Sequence, residues 1–222
     1  MTADSLRAAF ARPTLDVARS LLGMRLVGDG SNRRIVGRIV EVEAYLGPAD
    51  RASHARFGET ARNRPMYGDP GRAYVYLVYG MYHCLNVVTE PAGTPHAVLI
   101  RAVEPLEGVE LIRAARLRAE RLRRRSIDPA ELERVHARLE RTPADRLAAG
   151  PGLVGAAFGL DRALNGSDLL DPANPVHLEA ARADEPAFSI ATSARVGIAY
   201  AGPPWSSEPW RFTIAGHPSV SR

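Results

Sequence analysis

Along the first third of the chain the hydrophobic pattern changes period three times. In residues 13–23, Leu15, Ala18, Leu21 and Leu22 recur at helical spacing with Gly23 as a stop, which predicts a helix. Alternation then predicts strands at 24–27 and 34–45, joined by the polar turn Gly28-Asp29-Gly30-Ser31-Asn32. In the second strand Val36, Val40, Val42 and Ala44 fall on one side, and Ile39, Glu41, Glu43 and Tyr45 on the other. Residues 46–72 lose periodicity in a run of Gly, Pro, Asp, Asn and Arg; a loop that long inside a compact chain is usually functional.

Strand character returns at 74–79 and 82–88, a hairpin around Tyr79-Gly80-Met81, and again at 97–103. Two helices are predicted at 108–125 and 129–147, the second capped by Asp128 with Pro129 in its first turn, and a short apolar helix at 152–158 ends at Gly159. Strand patterns at 196–200 and 210–214 close the chain. Strands first, helices in the middle and strands last predict an α+β fold, one domain over residues 1–222 with a mixed or antiparallel sheet. There are no internal repeats and no linker-like stretch.

Composition adds exclusions. The chain has 222 residues, 45% hydrophobic and 24% charged, an ordinary globular balance. All 29 basic residues are Arg, so any chemistry that needs a lysine side-chain amine is excluded. Against 25 acidic residues they leave a charge of +4, which permits a polyanionic partner without proving one. The single Cys84 allows no intrachain disulfide and fits a reducing compartment, and the six His have no metal-ligand spacing, so no metal and no cofactor are expected. Residues 1–22 lack the apolar core of a secretory signal, and no apolar run approaches membrane-spanning length, which points to the cytoplasm.

Three segments carry candidate chemistry. Glu41, Glu43 and Tyr45 share one strand face, either a solvated polar face or a carboxylate held beside an aromatic platform, where a like charge and partial burial would raise a carboxyl pKa as a general base often requires. Four of the seven Tyr fall in residues 74–82. Cross-strand packing accounts for Tyr74 and Tyr82, whereas a ring at the tip beside Gly80 can stack on or wedge between nucleobases. The loop from His54 to Arg64 interleaves Arg with His and Phe, suited to phosphate and base contacts or to plain solvation. Ten Arg between residues 113 and 141 alternate with Glu at helical pairing distances and read as a solvated helical hairpin, with Arg123-Arg124-Arg125 at its bend a lesser candidate for phosphate contact.

Taken in order, Leu21-Leu22-Gly23, the run from Ile39 to Pro48, His54, Arg62-Asn63-Arg64, Pro70-Gly71, the Tyr-rich hairpin, Asn86, the run from Leu99 to Gly108, Gly150-Pro151-Gly152 and Arg195-Val196-Gly197 resemble the alkyladenine DNA glycosylase family, the mammalian-type 3-methyladenine DNA glycosylases. The ordered set extends from about residue 13 to the C-terminus. The resemblance implies a curved, mainly antiparallel sheet flanked by helices, with a protruding hairpin inserted into the minor groove of double-stranded DNA. It implies that Tyr79 fills the gap left by a flipped damaged purine, with Met81 as a further DNA contact. Tyr45 on one side and His54 and Tyr76 on the other sandwich the base, Asn86 disfavours the guanine 2-amino group, and backbone groups near Ala52 and His54 read the purine edge. Glu43 is implied as general base, Arg101 and the Val196 backbone as its helpers in positioning water, Glu41 as a structural carboxylate, and Arg62, Asn63 and Arg64 as DNA contacts. Within this frame the chain is expected to be a monomer that associates with the nucleoid through DNA. Two readings from other classes stand beside it: a non-catalytic nucleic-acid-binding module using the same Arg and Tyr surface, and a small-molecule glycosidase.

Overall fold

The computed structural model describes residues 3–30, 33–78, 80–124 and 127–221. Its elements are α1 (Ala3–Phe10), α2 (Thr14–Leu21), β1 (Arg25–Gly30), β2 (Arg33–Leu46), β3 (Ala73–Val78), β4 (Tyr82–Thr89), β5 (His96–Glu107), α3 (Val109–Arg123), α4 (Pro129–Arg141), α5 (Pro151–Ala157), β6 (Val176–Glu179), β7 (Ile190–Ser193) and β8 (Arg211–Ile214). The eight strands form one antiparallel sheet in the order β3-β4-β5-β2-β1-β6, with β8 joined to β2 and β7 to β8. The α+β expectation holds.

Strand β2 is the spine. Its first half pairs with β1, residues 41–43 pair with β8, and its opposite edge pairs with β5 from Val36 to Leu46. Residues 41–43 therefore have strands on both sides, and Glu41 and Glu43 are buried completely. The β2–β5 register shifts between Ile39 and Glu41 and again between Glu41 and Val42, two compensating bulges. Bulges re-aim side chains. Ile39, expected beside the carboxylates, joins Val40, Val42 and Ala44 in the core instead, because the bulge interrupts the alternation between it and Glu41. The core also receives the apolar side of α2 through Val17, Ala18 and Leu21. Helix α5 comes so close to β4 that a Cβ on Gly155 would lie 1.9 Å from the His83 carbonyl oxygen, so only glycine fits there.

Several boundaries differ from expectation. The first hairpin is tighter than predicted: its strands run on until Gly30 pairs with Arg33, and Ser31 and Asn32 lie outside the described residues. Helix α4 ends at Arg141 rather than 147, since Thr142 precedes Pro143 and takes an extended conformation, and a short 3-10 turn follows at Ala144–Arg146. Asp128 caps α4 as predicted, accepting from the Ala130 N–H at 3.0 Å. Residues 196–200 are not a strand; Gly197 at φ +76° turns the chain into a 3-10 helix at Ala199–Ala201. The strands in this region are β6 and β7, neither expected, and β7 is exposed along its whole length and so has no apolar alternation to betray it.

Candidate active site

The site grows from one face of the sheet. Opposite residues in an antiparallel pair share a face, and Tyr74 lies opposite Asn86, Asn86 opposite Leu99, and Leu99 opposite Glu43. Two residues along, Tyr45 lies opposite Ala97 and Tyr76 opposite Cys84. The loop after β2 folds back over this face and supplies Ala52 and His54. The result is an open cleft lined by Tyr45, Ala52, His54, Met66, Tyr74, Tyr76, Asn86, Ala97 and Tyr200.

Its walls are aromatic and uncharged. His54 meets Tyr76 edge-on at 4.5 Å between ring centroids, and its Nδ1 is 2.8 Å from the Tyr74 hydroxyl. His54 keeps one edge exposed, yet the water it loses by packing on these rings, then the Arg62 and Arg56 cations, push its imidazole down to about 4. Burial pushes the Tyr74 phenol up to about 12 and raises that of Tyr76 further. Asn86 is buried and donates through Nδ2 to the Tyr74 carbonyl at 3.0 Å.

Behind Tyr45 lie the two carboxylates, and their surroundings separate their roles. Glu41 Oε1 accepts from Arg101 Nε at 2.7 Å, Arg211 Nε at 2.8 Å and the Ser221 hydroxyl at 2.8 Å, while Oε2 accepts from the Ser221 N–H at 2.6 Å. Burial raises its pKa, but the Arg101 charge, the Ser221 N–H and Arg211 outweigh that and hold the carboxyl below the usual range, opposite to the upward shift expected of a paired carboxylate. Glu43 is less encumbered. Its Oε1 accepts from the Val196 N–H at 2.7 Å and is 3.3 Å from Arg101 Nη1, and its Oε2 accepts from the Tyr45 hydroxyl at 2.9 Å. A carboxylate offers about four acceptor positions, so one on Glu43 is left for a water or substrate proton. For the Tyr45 phenol, burial and then the neighbouring Glu43 charge raise the pKa well above its ordinary value, so it stays a donor.

Other expected residues are placed as follows. The Ala52 N–H is occupied by Asp50 at 2.9 Å and its carbonyl accepts from the Tyr200 hydroxyl at 3.3 Å, whereas the His54 N–H has no hydrogen-bond partner among the described residues. Asn63 is buried, and its side chain staples the loop: Oδ1 accepts from the Thr60 N–H, and Nδ2 donates to the His54 and Gly58 carbonyls. Arg62 is exposed and lies over the Tyr76 ring at 5.6 Å, and Arg64 is exposed in an ion pair with Glu59. Met81 is exposed at the hairpin tip beside Arg123; Tyr79 lies outside the described residues, as does Arg125. Among the described residues no His, Cys, Asp and Glu cluster could hold a metal ion, and no helix is long and apolar enough to cross a membrane.

The sequence reading missed Tyr200, whose ring joins the cleft from a segment expected to be strand, and Asp50, whose carboxylate binds Arg195 inside the protein. The clue for Tyr200 was a lone tyrosine three residues beyond Gly197, a turn former; Asp50 gave none beyond its place in the loop.

Comparison with known proteins agrees with this arrangement. A family profile described as methylpurine-DNA glycosylase matches residues 8–218. Proteins named "Putative 3-methyladenine DNA glycosylase" are similar to the chain over nearly their full length. One from Methanocella arvoryzae is 44% identical over 96% of this chain and 93% of its own, one from Nitrosococcus oceani 43% over 96% and 90%, and one from Bacillus cereus 42% over 94% of each. With the profile covering most of its length and relatives above 40% identity, the chain belongs to the methylpurine-DNA glycosylase family.

Proposed function

We propose that the protein is a monofunctional DNA glycosylase that flips alkylated purines of the 3-methyladenine and 7-methylguanine type, and hypoxanthine and ethenoadenine with them, out of duplex DNA and hydrolyses the N-glycosidic bond, starting base excision repair. The observation that carries this is Glu43: fully buried, oriented by three donors, and joined through the Tyr45 hydroxyl to the wall of an aromatic cleft. A purine alkylated on a ring nitrogen is cationic, and the faces of Tyr45 and Tyr76 attract it; the neutral His54 adds a ring without a competing charge. The expected role of Asn86 against a guanine 2-amino group fits its fixed place in the cleft. Tyr79, which follows β3 in the sequence, fills the gap in the duplex, with the exposed Met81 as a further DNA contact; extrusion costs a few kcal/mol, least for damaged bases.

In the reaction, the bond from the sugar C1′ to the purine nitrogen breaks, its electron pair leaves with the base, and the sugar passes through an oxocarbenium-like state. A water held on the free acceptor position of Glu43 attacks C1′ and gives its proton to the carboxylate. Arg101, paired with both Glu41 and Glu43, holds the Glu43 carboxylate in position for this. With no lysine in the chain, water is the nucleophile and the product is an intact strand with an abasic site. The enzyme acts as a monomer on DNA in the cytoplasm.

Glu43→Gln keeps the volume and removes the base. It is expected to bind lesion duplex as the parent does and to release base at least 10²- to 10⁴-fold more slowly, roughly the range of general-base catalysis. The assay is incubation with methylated or inosine-containing duplex and alkaline cleavage at abasic sites. Substantial residual release sinks the assignment, and a parent protein that binds but releases nothing favours the binding-module reading.

A further inference from the structure

Arg195 and Asp50 are the most completely buried ion pair among the described residues, both side chains with no exposed surface. The pair is bidentate, Nη1 to Oδ2 at 2.5 Å and Nη2 to Oδ1 at 2.9 Å. Arg195 also donates to the Ala44 carbonyl at 2.9 Å and the Trp205 carbonyl at 3.2 Å, and its Nε has no partner. Its guanidinium instead lies against rings, 4.7 Å from the Tyr45 centroid and 4.8 Å from that of Trp210. Asp50 further accepts from the N–H of Ala52, which lines the cleft.

Burying a charged pair is costly, and as a mere staple an apolar contact would serve as well or better. What distinguishes this pair is its position on a ring of the cleft wall. A cation over one face of Tyr45 leaves the other face for the base. If that base is a cationic alkylpurine, two positive charges stack on the same ring, separated by roughly 8 Å when a van der Waals gap is added to the observed distance. With no water between them the repulsion is weakly screened and falls on charged bases alone.

We infer that Asp50 and Arg195 form a charge-balanced backing for Tyr45 that sets the preference of the cleft for cationic over neutral purines: Asp50 cancels the guanidinium field that a cationic base would otherwise meet through the ring. The inference rests on the alkylpurine reading above. A purely structural pair predicts that damaging either member weakens all lesions alike. Charge balance predicts opposite signs. Asp50→Asn leaves an uncompensated cation behind the ring and selects against cationic bases, whereas Arg195→Gln leaves an uncompensated anion and selects for them.

The test measures affinity for duplexes carrying one 7-methylguanine, which is cationic, or one hypoxanthine, which is neutral, in the Glu43→Gln background so that no base is released. Asp50→Asn is expected to lower the cationic-to-neutral affinity ratio about tenfold, Arg195→Gln to raise it by a similar factor, and Arg195→Lys, which keeps the balance, to leave it within about twofold. Circular dichroism melting establishes which variants fold; where Asp50→Asn does not, the direction of the ratio in Arg195→Gln decides. A ratio that stays constant, or moves the same way in both variants, overturns the inference. Failure of the protein with Glu43 intact to release methylated bases, or of the Glu43→Gln protein to prefer lesion duplex, refutes the glycosylase reading instead.

Discussion

His54 shows how neighbours decide the character of a single side chain. A histidine beside a DNA phosphate backbone would ordinarily gain a proton, yet burial among Tyr74 and Tyr76 and the Arg62 and Arg56 cations hold this one at about 4. The imidazole is then neutral at physiological pH, and a cationic base meets no like charge there. The expected measurement is an NMR titration of the His54 ring with a midpoint near 4, moving toward the ordinary 6.5 in Arg62→Ala; a midpoint that ignores Arg62 removes its field from the account. The sign for stability follows from the lowered value. Between about 6.5 and about 4 the unfolded chain binds a proton that the folded chain refuses, so His54 makes the fold less stable as pH falls through that window. Much of the carboxylate chemistry at this scale was open to sequence reading, since Glu41, Glu43 and Tyr45 alternate onto one face. What separates Glu41 from Glu43 was not, because it depends on Ser221 and Arg211, contributed by the other end of the chain.

At the scale of elements, patterns that report burial were legible and junctions were not. Helix α2, the long strand β2 and the Tyr-rich hairpin announce themselves through apolar periodicity, and α4 through its cap. Strand β7 could not be read, since it pairs only with β8 and exposes every residue, and the bulges that carry Ile39 into the core and set Arg101 across from both glutamates leave no trace in the alternation. Close approaches are also silent in one dimension. Gly155 looks like an ordinary residue of a short apolar helix, yet its missing side chain lets α5 lie on the backbone of β4. Gly155→Ala gains helix propensity and should stabilise the protein if α5 were free. The contact with the His83 carbonyl predicts the reverse, a loss of about 1–3 kcal/mol as overpacking forces the two elements apart. Denaturant unfolding decides the sign, and an unchanged or raised midpoint shows that α5 shifts without cost.

For the whole molecule the arginine-only basic set acquires a division of labour. In the α3–α4 region three of the arginines are answered locally: Arg113 by Glu110, Arg123 by Glu120, and Arg124 by Glu120 and Glu131. On the loop beside the cleft, Arg56 and Arg62 have no carboxylate partner among the described residues and lie over the rings of Tyr200 and Tyr76. Charges already neutralised release few counterions on meeting DNA, while unpaired ones release their full share. Binding to duplex DNA is therefore expected to weaken steeply with salt, and Arg62→Ala should reduce the slope of log affinity against log salt by about 0.9, the value for one phosphate contact. Arg124→Ala should leave the slope unchanged. Equal effects of the two substitutions would mean that the helical region faces the duplex as closely as the loop does. A slope indifferent to both would place the phosphate contacts elsewhere on the surface and detach the cleft from the path of the DNA.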